Sequence, residues 1–116
     1  MSLMYVQSIV IVRAPVVRDR YGSESRDWAA AARTEVSGVN VQPASAPAQS
    51  TEHTDDRQTT VTGWRLYTPR GMDLDLVETD RVEVDGMTLE VDGKVGRWPR
   101  PGGGVHHVEA ELKEVD

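Results

Sequence analysis

The stretch Arg81-Val82-Glu83-Val84-Asp85-Gly86-Met87-Thr88-Leu89-Glu90-Val91 decides the fold. Valine, methionine and leucine alternate with charged or polar residues on both sides of Asp85-Gly86. That dipeptide supplies the two positive φ angles of a two-residue type I′ turn, whose twist matches that of the flanking strands. The spacing predicts a β-hairpin with Val82, Val84, Met87, Leu89 and Val91 on a buried face. Arg81, Glu83, Thr88 and Glu90 then face water.

The same period of two extends outward from the hairpin. Val105 to Val115 reads as a last strand with Val108, Ala110 and Leu112 inward and His107, Glu109, Glu111 and Lys113 outward. Thr59 to Thr68 alternates as well, with Trp64 and Leu66 on one face and Arg65 and Tyr67 on the other. Pro69-Arg70-Gly71 then turns the chain into the strand-like run Met72-x-Leu74-x-Leu76. Near the start, Val6 to Val17 reads as one strand. Val36, Val39 and Val41 mark a second, whose apolar parity changes across Ser37-Gly38, as a β-bulge would require. Between these two, Trp28 and four alanines allow a helical turn or two, capped by Ser25 or Asp27.

Two stretches lack periodicity. Gln42 to Gln58 holds prolines, small residues and the acidic pair Asp55-Asp56, and loops of this length in a compact domain are usually functional or disordered. Its composition predicts a mobile loop between the second and third strands. Asp92 to Gly104 is the second irregular segment. The expected fold is therefore all-β: a single domain over residues 1–116, forming a small antiparallel β-barrel of six to seven strands with at most a short helix near Trp28.

Composition points the same way. The 116 residues suit one domain, and 17 valines against 6 leucines favour pleated surfaces, where β-branched side chains fit better than in helices. With no phenylalanine, the core must come from Val, Leu, Met and three Trp. Thirteen Lys and Arg against nineteen Asp and Glu give a formal charge of −6, which disfavours nonspecific binding to nucleic acid or anionic lipid. The absence of cysteine removes disulfides and thiol chemistry. The longest apolar run, Ile9-Val10-Ile11-Val12, falls far short of the ~20 residues of a membrane-spanning helix, and no basic segment precedes it as in a signal peptide.

Few residues suggest catalysis. His106 and His107 are adjacent in a strand and point to opposite faces, so they hold no common metal unless a bulge intervenes. His53 with Asp55 or Asp56 has metal-ligand types but no fixed supporting shell. Gly102-Gly103-Gly104 lacks the Gly-Lys-Ser/Thr of a phosphate loop and precedes a strand rather than a helix. No nucleophile has an identifiable base. The expectation is no catalytic site, no metal and no cofactor. Among the tryptophans, Trp64 is in phase with Leu66 and reads as core, whereas Trp28 and Trp98 lie in irregular segments. Trp98, flanked by Arg97, Pro99 and Arg100, reads either as a barrel plug or as an intersubunit anchor.

Taken in order, Val12-Arg-Ala-Pro-Val-Val-Arg-Asp-Arg-Tyr-Gly22, Arg26-Asp27-Trp28, Val41-Gln42-Pro43, Gly63-Trp64-Arg65-Leu66-Tyr67, Asp80-Arg81-Val82 and Val91-Asp92-Gly93 with Trp98-Pro99 resemble the head-to-tail stopper, or head-closure, proteins of long-tailed actinobacterial phages. The resemblance runs along nearly the whole chain and rests on the ordered set rather than on one motif. It implies a structural virion subunit, assembled in the bacterial cytoplasm. Such a subunit forms a ring with copies of itself below the portal and adaptor, retains packaged double-stranded DNA without reading its sequence, and offers a platform to the tail-terminator side. It further implies that the loop after the second strand projects into the channel, here with Gln42, Pro43, Pro47, Glu52, His53, Asp55 and Asp56, and leaves Trp28, Trp98 and Arg100 as candidate intersubunit contacts. Net acidity suits a DNA conduit, because tight nonspecific binding needs Lys and Arg contacts to phosphate.

Two rival classes remain in view. A small barrel binding a protein or single-stranded nucleic acid would want a basic face with exposed aromatics, for which Tyr67, Arg65 and Arg81 are the nearest material. A hydrolase would need His53, His106 or His107 to converge with a carboxylate.

Overall fold

The computed structural model describes residues 4–45 and 61–115. Nine strands follow in chain order: β1 (Gln7–Arg13), β2 (Val16–Arg18), β3 (Glu24–Arg26), β4 (Ala32–Ser45), β5 (Val61–Tyr67), β6 (Arg81–Val84), β7 (Met87–Val91), β8 (Gly96–Pro99) and β9 (Val105–Glu114). No α-helix occurs among the described residues. Trp28–Ala30 forms a single 3₁₀ turn, with Asp27 as its cap accepting a hydrogen bond from the Ala29 amide.

The main sheet runs β5-β4-β1-β6-β7-β9 and closes on itself, because β9 also pairs with β5. All of its pairings are antiparallel. The result is a six-stranded antiparallel barrel, an arrangement that removes the unpaired edges of an open sheet. β8 is an additional strand. It pairs with the first half of β9, through Gly96↔Glu109 and Trp98↔His107, while β7 pairs with the second half through Val91↔Leu112.

The hairpin read from the sequence is present as expected. Val84 faces Met87, and Asp85 and Gly86 have φ of 50° and 79°. Val82, Val84, Leu89 and Val91 are buried, and Met87 packs half-buried against them. Ile9, Ile11, Val39, Leu66, Val108 and Leu112 complete the strand-borne core. Trp64 is half-buried against it. The bulge is also present: the pairing with β1 steps from Gln7↔Val39 to Ser8↔Ser37, skipping Gly38, whose φ is +83°.

Four boundaries differ from the sequence reading. The expected first strand ends at Arg13, because Pro15 has no amide for the ladder and the chain swings out into the separate β2–β3 ribbon. Gln42 to Ser45 belong to β4 rather than to a loop: Gln42 lies opposite Arg65 and Pro43 opposite Trp64. Pro43 is tolerated because β1 begins only at Gln7, opposite Val39, so this part of β4 has an open edge. Gly96 to Pro99, expected as irregular, form β8. An exposed strand that follows glycine and ends in proline carries no apolar alternation to read.

The fourth difference is Met72 to Leu76. It buries Leu74 and Leu76 but is not a strand: the Leu76 amide turns back to donate to the Leu74 carbonyl at 2.9 Å, and the segment pairs with no strand among the described residues. The Arg97 guanidinium takes the place of one, its Nη2 donating to the carbonyls of Leu74 at 2.7 Å and Leu76 at 2.9 Å.

Barrel closure depends on a close approach at Gly63. A Cβ at this position would lie 2.8 Å from the Leu112 carbonyl oxygen, closer than packed atoms permit. Gly63→Ala is expected to cost about 1–3 kcal/mol by forcing the β5–β9 seam apart. Urea denaturation measures this directly, and an unchanged midpoint would show that the seam has slack.

Candidate functional site

The residues singled out in the sequence fall in three places. Pro47, Glu52, His53, Asp55 and Asp56 lie outside the described residues. Gln42 and Pro43, as above, are strand residues. Trp98 and Arg100 lie together at the end of β8, whereas Trp28 is on the 3₁₀ turn before β4, and no ring contact joins the two tryptophans among the described residues.

Trp28 is half-buried on the 3₁₀ turn, with the Arg81 guanidinium 4.0 Å from its ring centroid. At that distance the cation lies on the ring's negative face, an attraction of about 0.5–2 kcal/mol. Trp28 therefore holds the returning chain against β6. The Nε of Arg81 is buried without a hydrogen-bond partner among the described residues. Trp98 is 51% exposed on β8 and stacks on His107, with centroids 5.9 Å apart and planes inclined by 8°. Arg100 is exposed, and its backbone closes the turn into β9: its amide donates to Gly104 and its carbonyl accepts from Gly103.

The histidines require a correction. The pairing of β8 with β9 passes from Trp98↔His107 to Pro99↔Val105, leaving His106 as an extra residue on β9. This bulge cancels the alternation that would send the two rings to opposite faces. His106 Nδ1 and His107 Nδ1 are 2.8 Å apart, and His107 Nε2 is 2.7 Å from a Glu109 carboxylate oxygen. A histidine pair with a carboxylate does converge, then, as a hydrolase would need. No hydroxyl is hydrogen-bonded to either ring among the described residues. No group of three or more metal-ligating side chains occurs among them either. The missed signal is the Gly102-Gly103-Gly104 run, whose three positive φ angles bring the chain back into β9 out of register.

The basic aromatic face does not form. Arg65 and Tyr67 lie on β5, next to β9. Arg81 lies on β6, three strands away around the barrel. Tyr67 and the nearby Glu111 and Glu109 raise the Arg65 guanidinium above its ordinary pKa, with the Tyr67 hydrogen bond the leading cause. The cation is thus already engaged with neighbours that a nucleic-acid phosphate would have to displace.

Exposed apolar material also gathers on the β2–β3 ribbon. Every residue of both strands is exposed, and the ribbon pairs with no other strand. Val16 and Val17 are 44% and 43% exposed, and Tyr21 at the turn is 82% exposed. The ribbon is a defined arm all the same. Asp19 accepts hydrogen bonds from the amides of Tyr21 and Ser23, Arg18 pairs with Glu24, and the Asp27 amide donates to the Pro15 carbonyl at the base. The sequence hid this arm because Val16 and Val17 read as a continuation of the first strand.

No family model and no curated protein matches the sequence. Among solved structures the chain is similar to the solution structure of protein SF1141 from Shigella flexneri 2a, with a TM-score of 0.59 and 18% identity over 98% of this chain and 96% of that one. At this identity the likeness supports the barrel fold alone.

Proposed function

We propose that the chain is a structural subunit of a tailed-phage head-to-tail connector: a head-closure protein that forms a ring below the portal and adaptor, retains packaged DNA and receives the tail. The observation that carries this reading is the exposed arm on a closed barrel. Closure leaves little free sheet edge beyond β8 and the end of β4, and β2–β3 is an ordered appendage with exposed valines through which such a barrel can associate. The ordered resemblance along the chain supports the reading, as does the acidic surplus, since a conduit must let DNA slide.

Genetic removal and add-back test it. A phage genome lacking this chain is expected to yield filled heads that lose their DNA and carry no tails, and the purified protein added to those heads restores both. Heads that stay filled and acquire tails without the chain would overturn the proposal.

A further inference from the structure

We propose that His106 and His107 bind one copper(I) ion, held in linear coordination between their Nδ1 atoms. The site is independent of the connector reading and uses a histidine pair to which that reading gives no role.

The pair meets the condition under which adjacent strand histidines can share a metal, because the bulge at His106 brings the two rings together. Glu109 fixes the protonation of one of them. An ionised carboxylate can only accept, so the His107 Nε2 that lies 2.7 Å from it carries that ring's hydrogen. The His107 Nδ1 is then a bare lone pair, and the 2.8 Å contact between the rings is a hydrogen bond donated by His106 Nδ1–H. A carboxylate on the far nitrogen, with the near nitrogen unprotonated, is the arrangement that orients metal-binding histidines. The backbone around the pair is pinned as well. The Gly71 amide donates to the His106 carbonyl and the Val108 amide to the Thr68 hydroxyl, each at 2.8 Å, while Trp98 covers one face of His107.

Geometry selects the ion. The ring centroids are 5.0 Å apart, close to the largest separation that a 2.8 Å contact between ring nitrogens allows, so the two nitrogens meet nearly head-on. Opposed ligands suit a closed-shell monovalent ion such as copper(I), which accepts linear coordination by a pair of donors. A structural zinc ion would need a tetrahedral set of four, and no group of three or more metal-ligating side chains occurs among the described residues. With metal–imidazole bonds of about 2 Å the nitrogens must part by about 1 Å, a movement that side-chain rotation of two half-buried rings can supply. The ion replaces the proton between the rings. That proton leaves to water, His106 Nε2 takes one up, and no electron is transferred. The chain offers no cysteine to compete for a soft cation.

Titration of the full-length protein with copper(I), supplied as its acetonitrile complex under nitrogen, tests the site. Nitrogen-15 NMR is expected to show the Nδ1 signals of His106 and His107 shifting together as one equivalent is added, with the His107 Nε2–H retained. In competition with a copper(I)-chelating dye, His106→Gln and His107→Gln should each abolish that uptake, and Glu109→Gln should weaken it about tenfold. His53→Gln, which alters the remaining histidine, should leave it unchanged. Circular dichroism establishes that the variants fold, and where one does not, the nitrogen shifts of the unaltered protein decide. No uptake by the unaltered protein, uptake that survives His107→Gln, or shifts at His53 in place of His106 and His107 would overturn the proposal. Zinc(II) held by the pair more tightly than copper(I) would overturn it too, since opposed nitrogens disfavour a tetrahedral ion.

Discussion

Asp80→Ala is expected to lower the stability of the domain by about 3 kcal/mol, because it removes a charged acceptor and leaves a backbone donor without a partner. Asp80 is 1% exposed and sits just before β6. Its carboxylate receives Arg13 Nε at 2.9 Å, Arg13 Nη2 at 2.8 Å and the Val77 amide at 2.9 Å. The same guanidinium also donates to the Asp75 carbonyl, at 3.0 Å. One carboxylate and one cation thus fasten the 75–80 connection to the end of β1. In Asp80→Ala the Arg13 side chain, 41% exposed, can still be hydrated, so no charge is stranded. What remains is the orphaned Val77 amide and the loss of a two-pronged, charge-assisted bond.

Thermal unfolding should show the loss as a fall of about 10 °C in Tm, given the usual slope for a domain of this size. Asp80→Asn keeps an acceptor for Val77 but turns an N–H toward Arg13, so about half the loss is expected. Asp75→Ala should cost under about 0.5 kcal/mol, since the Asp75 side chain is 84% exposed. Equal losses at the two aspartates would show that burial does not set the value of this network. The pairing also leaves a direction in pH. The Asp80 hydrogen bond, followed by that of Asp75, raises the Arg13 guanidinium above its already high pKa. Its contribution is fully present below that ordinary value and is lost only as pH climbs beyond it, so stability near neutrality should not vary with pH through this residue.

Little in the sequence marked this network, and the reason shows which parts of the fold were legible. Alternation reports which way a side chain points, so the Asp85-Gly86 hairpin, the inward face of β9 and the bulge at Gly38 could all be read from it. Contacts between residues far apart in sequence leave no such trace. Arg13 and Asp80, and Arg97 with the Leu74 and Leu76 carbonyls, are long-range pairs of common surface residue types. The candidate site was less legible still. Val16 and Val17 have the composition of a strand core, and only Pro15, which breaks the ladder, and the Asp19 turn make them an exposed arm. For His106 and His107, the two-residue period gave the wrong face because a one-residue bulge inverts it. The Arg81 guanidinium over the Trp28 ring is another long-range pair that alternation does not report.

The second large effect concerns a segment that is not a strand. Leu76 is fully buried within 72–77, and its removal tests whether this connection belongs to the core or merely lies on it. A Leu→Ala change at such a site costs about 2–5 kcal/mol, from the lost transfer of the side chain plus the cavity that remains. We expect the upper half of that range. A closed barrel cannot move its strands inward as easily as an open sheet, so the space left by Leu76 should persist as a void. Against a total of roughly 5–15 kcal/mol for a small domain, that is a large share, and the urea midpoint should fall with little change in slope. Arg97→Ala should cost less, about 1–2 kcal/mol, because it frees two carbonyls that water can still reach beside the half-exposed guanidinium. The double variant is the sharper measurement. Arg97 holds the same backbone that seats Leu76, so once the leucine is gone the clamp positions less apolar surface, and the two losses should sum to less than their separate values. Strict additivity would mean that Leu76 is held by the barrel alone. A loss below about 1 kcal/mol for Leu76→Ala would place the 72–77 segment outside the core, since a truncation that mild is typical of surface positions.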